Sequence, residues 1–140
     1  MKKRIVPEEP KVLFEEAKRY LANAKETLAK TRIEYDRYQD KKYVKEASAV
    51  AYLACLSAID DYLLSIGTEK KKLPTSIEEY TKSLRKIPHN GKLISALDTV
   101  YENLHIFGYY RGGVDVEMIK SGFQKAKFII DTLSKGVKIR

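Results

Sequence analysis

The sequence predicts an all-α protein: an up-and-down four-helix bundle with one additional short helix. Three observations predict it. Apolar residues recur at alternating steps of three and four through most of the chain, and no stretch sustains the alternation of a strand. Four prolines and seven glycines in 140 residues leave few places to turn, so the regular elements must be long. The length suits one domain around one core, and 44% hydrophobic with 33% charged residues is a globular balance.

The first helix is expected over residues 10–40. Pro10 suits a first-turn position, where its missing N–H sacrifices no intrahelical bond. Phe14, Ala17, Leu21, Ala24 and Leu28 form one stripe, which continues in more polar form through Thr31, Tyr35 and Tyr38. The second helix is expected over 42–66, ending at Gly67. Ala47, Ala51, Ala54 and Ala58 let a neighbouring backbone approach, and with Val50, Leu53, Leu56, Ile59 and Leu63 they make this the central, most buried helix.

"TEKKKLPTS" is a loop. Ser76 with Glu79 three residues on is a capping-box pattern that opens a short helix over 76–87, ended by Pro88 and Asn90-Gly91. A fourth helix over 92–107 follows from Leu93, Leu97, Val100, Leu104 and Phe107. A fifth over 115–135 follows from Val116, Ile119, Phe123, Ala126, Ile130 and Leu133, with Asp115 as its cap.

A net charge of +8 and a pI near 9.4 raise the odds of an anionic partner. Much of the excess, however, lies in "MKKR", "EKKK" and "KGVKIR", two termini and a loop, where lysines are simply solvated. Nucleic acid is therefore not favoured. The single cysteine, Cys55, excludes an internal disulfide and lies in an apolar helical run, as a small buried hydrophobe would. The basic start is followed by "IVPEEP" rather than an apolar segment, and no stretch is expected to reach membrane-spanning length. A cytoplasmic protein with no membrane contact is the expectation.

Little in the chain points to catalysis. His89 and His105 are the only histidines, and neither stands in a Glu-x-x-His pair; Asp60 and Asp61 are adjacent on a helix and diverge. Phosphate-loop and dinucleotide-binding fingerprints are absent, so neither a metal nor a cofactor is expected. The anomaly is "HIFGYYRGGVD", which gathers three glycines around two tyrosines and an arginine. Backbone glycines before a helix N-terminus can cradle phosphate, with Arg111 as a bidentate donor. An Asp at the cap would repel an anion there. A turn is therefore the favoured reading: Gly108 ends one helix, Gly112 and Gly113 reverse the chain, and Asp115 starts the next. His105, Tyr109, Tyr110 and Arg111 are then candidates for contact with a partner.

The long helix "KEASAVAYLACLSAIDDYLL" and the final unit "LDTVYENLHIFGYYRGGVDVEMIKSGFQKAKFIIDTL" resemble the HEPN superfamily of small bacterial helical domains. The resemblance runs from Tyr43 onward. It implies a helical bundle, a tendency to dimerise and, in the family's active members, ribonuclease activity from an Arg followed a few residues later by His. Here His105 is present, but Thr99, Val100 and Tyr101 stand where that Arg is wanted. Arg85 and His89 imitate the pair one helix too early and with Pro88 between them. The resemblance thus implies a non-catalytic module acting through protein–protein contacts, as a homodimer or with a partner protein. The alternative is a HEPN-type protein that binds or cleaves RNA with His105, Tyr109, Tyr110 and Arg111.

Overall fold

The computed structural model describes residues 13–136, and helix dominates them. In chain order these are α1 (Glu15–Leu28), a hairpin of β1 (Ile33–Glu34) and β2 (Arg37–Tyr38), α2 (Lys41–Ser65), a 3-10 turn (Lys70–Lys72), α3 (Ile77–Arg85), α4 (Gly91–Val100), a π-helical segment continuing it (Tyr101–Tyr110), and α5 (Val116–Gly136).

The first expected helix is too long. Residues 10–12, including Pro10, lie outside the described residues, and α1 stops at Leu28. Thr31, Tyr35 and Tyr38 continue the three-four spacing only by coincidence. Thr31 and Tyr38 are buried, whereas Tyr35 is 94% exposed at the tip of a two-residue hairpin. Tyr35 and Asp36 have φ of 55° and 60°, the pairing a type I′ turn requires. Such turns usually announce themselves with Asn-Gly, and none is present here. The hairpin is pinned from outside: the Tyr38 N–H donates to the Val114 oxygen at 2.9 Å, and the Val116 N–H to the Asp36 oxygen at 3.1 Å. A small hairpin therefore corrects the expectation of no strands.

α2, α3 and α5 follow their expected places closely. Asp40 caps α2 by accepting from the Lys42 N–H, and Ser76 caps α3 by accepting from the Glu79 N–H. The Glu79 carboxylate reaches back to the Thr75 N–H at 2.8 Å, one residue earlier than the usual box. Asp115 caps α5 through the Met118 N–H at 3.0 Å.

The fourth expected helix does not end near Phe107. It widens after Val100 into the π form and runs on to Tyr110, so Gly108 is an interior helical residue and not a stop. Gly112, at φ +69°, makes the reversal.

α2 packs against α1, α5 and the π segment, and Ala47, Ala51, Ala54 and Ala58 are fully buried there. Around it stand Phe14, Leu84, Leu97, Leu104, Ile119 and Ile130. By length and composition α2 does qualify as a membrane-spanning candidate, contrary to the expectation that no stretch would. Its role as the core helix accounts for that apolar composition, since nine of its residues are buried in the protein.

Candidate functional site

The π segment brings Tyr101, His105 and Tyr109, at four-residue steps, alongside Tyr52 of α2. The His105 ring lies near-parallel to Tyr52 with centroids 4.6 Å apart, and near-parallel to Tyr109 at 6.0 Å. Tyr101 is tilted against both His105, at 5.3 Å, and Tyr52, at 6.2 Å. Offset ring packing of this kind stabilises beyond simple burial. The wider helix, marked by the Arg111 N–H bonding five residues back to the Ile106 oxygen at 2.9 Å, is a form that concentrates at functional sites.

Gly108 explains how the segment gets so close to α2. A Cβ there would stand 2.8 Å from the Ser48 Cβ, 2.9 Å from the Ile119 side chain and closer still to the Ser48 hydroxyl. The backbone of the π segment thus rests directly on α2, and the Ser48 hydroxyl is buried with no hydrogen-bond partner among the described residues.

The four residues singled out from the sequence divide in two. His105 is half-buried in the ring stack. Tyr109 is 44% exposed at its end, and Tyr110, at 70%, projects with Arg111 from the surface. Tyr52 and Tyr101 were missed. Their signal was legible as the steps from Tyr101 to His105 to Tyr109, but an aromatic on α2 that would meet them needed the fold.

The chemistry open to the stack is limited. Burial, with smaller contributions from Cys55, Tyr101 and Glu78, pushes the Tyr52 phenol up to about 12, so it stays protonated at neutral pH. Cys55 is fully buried, which pushes its thiol far above the ordinary range and leaves it inert. Among the described residues the ring contacts of the stack involve only Tyr52, Tyr101, His105 and Tyr109. Among the described residues no group of three or more His, Cys, Asp or Glu side chains could hold a metal ion.

Next to the stack, Tyr109 joins Thr27, Lys42, Lys45, Glu46, Ala49 and Val50 around an open groove of about 720 Å³. Leu53, one turn along α2 from Val50, is 53% exposed. The helix that forms the core thus presents an uncovered apolar strip, with lysines and a glutamate at its margin.

A separate polar contact ties α3 to α2. The Tyr80 hydroxyl donates to the Asp60 carboxylate at 3.2 Å, and the second oxygen of Asp60 is buried without a partner among the described residues. Burial raises the Asp60 pKa, and the Tyr80 hydrogen bond only partly opposes it. A raised acid favours folding below its unfolded pKa of about 3.9, and this contribution is lost as pH rises through the folded value. Asp60→Asn should therefore gain stability relative to the wild type as pH rises from about 4 toward neutrality. Urea unfolding at a series of pH values checks this; a difference that does not change with pH would contradict it.

A family model described as a domain of unknown function (DUF5618) matches residues 13–135. A solved structure, described as a protein of unknown function from Dyadobacter fermentans, is 37% identical, with a TM-score of 0.80 over 92% of this chain and 99% of that one. No curated protein matches.

Proposed function

The chain belongs to that family, whose description names no activity, and we propose that it is a non-catalytic helical module that works by associating with a second copy of itself. In this reading α1, α2, α4 with its π extension, and α5 form an up-and-down bundle of HEPN type. The bundle keeps a dimerising face and has lost the nuclease pair.

One observation carries the proposal. Leu53 stands 53% exposed on α2, and beside it half-buried Val50 and the 44% exposed Tyr109 of the π segment border an open groove. Exposed aromatic and aliphatic side chains in a contiguous patch are the anchors interfaces use. A second copy is the occupant that fits the margin best. Lys42, Lys45 and Glu46 put both signs of charge on one groove, and a two-fold axis would set the glutamate of each copy against the lysines of the other. Tyr110 and Arg111, exposed at the end of the same segment, extend that face.

The ring stack speaks against the RNA-cleaving alternative. His105 is held among three tyrosines, and among the described residues no ion pair or cation contact reaches it that would help stabilise a phosphorane. Labelled single-stranded RNA incubated with the purified protein is expected to remain intact. Cleavage that His105→Ala abolishes without unfolding the chain would overturn the non-catalytic reading. In sedimentation velocity, Tyr110→Ala with Arg111→Ala should weaken self-association while helical content holds.

A further inference from the structure

The hairpin borders an open cleft of about 510 Å³ together with the C-terminal end of α1 and the middle of α5. That volume falls in the range of roughly 300–1,000 Å³ typical of small-molecule sites. Leu28, Ile33, Tyr38 and Phe123 supply apolar walls. Ile33 and Tyr38 face each other across the hairpin register, so one short ribbon contributes both. Ile33 is 48% exposed, an aliphatic group that lines the cleft and is not packed into the core.

The charged lining groups have a single sign. Among the described residues Lys25, Lys120 and Lys127 line the cleft and no carboxylate does. Lys127 is engaged by Asp131 at 2.7 Å, whereas the ammonium groups of Lys25 and Lys120 have no partner among the described residues. Tyr38 is only 4% exposed, so its ring forms part of the apolar wall. The ribbon itself is strained, with two non-glycine residues at positive φ held by bonds to Val114 and Val116. Strain of that kind persists where the surroundings fix it, and it gathers at ligand-gripping segments.

We propose that this cleft binds a small amphipathic carboxylate, its apolar body against Leu28, Ile33 and Phe123 and its acid group at Lys25 and Lys120. Apolar walls with a few convergent polar groups at one side are the usual build of such a site, and lysine acts there as a point charge toward the anion. The site lies outside the proposed self-association strip and does not depend on it.

Calorimetric titration of the full chain with sodium decanoate, kept below its aggregation concentration, should give saturable one-to-one binding. The neutral analogue 1-decanol should bind at least roughly tenfold more weakly. Lys25→Glu with Lys120→Glu should weaken decanoate binding by a similar factor while circular dichroism stays unchanged. If that pair loses helix, Lys25→Gln with Lys120→Gln carries the same expectation. Heat that does not saturate, equal affinity for the alcohol, or full affinity in the folded lysine variants overturns the proposal. Binding to anionic phospholipid vesicles without binding to free decanoate also overturns it, because the ligand would then be a membrane surface.

Discussion

Gly108→Ala is expected to destabilise the protein by about 1–3 kcal/mol, even though alanine is the better helix former by roughly 1 kcal/mol. The reason is contact, not backbone freedom. The added methyl would meet Ser48 on α2 and Ile119 on α5 at separations that side chains do not tolerate, and Ser48 belongs to a rigid core helix. Ser48→Gly removes the obstructing Cβ and, with it, a buried hydroxyl that has no partner among the described residues. The cost of Gly108→Ala should therefore shrink in the Ser48→Gly background, with a coupling above roughly 0.5 kcal/mol in a double-mutant cycle. Gly91→Ala is the control. Nothing lies within 4 Å of a Cβ at that position, so the change should be neutral or stabilise by up to about 1 kcal/mol. Urea unfolding of the four variants and the wild type provides the comparison. Equal costs at positions 108 and 91 would mean that the π segment does not rest on α2.

Leu53→Glu is expected to raise the dissociation constant of the self-associated form roughly thirtyfold or more, because an unpaired carboxylate buried at an interface centre costs at least about 2 kcal/mol. The side chain is already half in solvent in the single chain, so the fold itself should be indifferent to the change. Unfolding midpoints at concentrations where both proteins are monomeric should agree. Association that survives the substitution would move the contact off this face of α2.

The central helix, the short capped helix and α5 were legible because local signals and tertiary packing agree in them. Alanines at helical spacing on α2 are all buried, and the Ser76 and Asp115 caps form as their residue types require. The hairpin was not legible. Its strands are two residues each, too short for alternation to register, and Tyr35-Asp36 adopts a turn that local preference assigns to glycine or asparagine. Contacts to Val114 and Val116, far along the chain, stabilise it. The π segment was misread for a related reason. Gly108 looks like a helix stop, but it is buried, and a buried glycine marks where two backbones touch. Of the candidate site, His105, Tyr109, Tyr110 and Arg111 could be picked out from an unusual composition. Tyr52 and Leu53 could not, since the middle of α2 from Ala47 to Ile59 carries no charge and no periodicity there distinguishes the uncovered positions from the buried ones.

The most direct test of self-association through the α2 strip is sedimentation equilibrium of the wild-type chain across a wide concentration range, with Leu53→Glu run alongside. A wild type that approaches twice the monomer mass of 16.1 kDa as concentration rises, while Leu53→Glu remains monomeric, is the expected result. A wild type that stays monomeric throughout, or a variant that dimerises equally well, would contradict it.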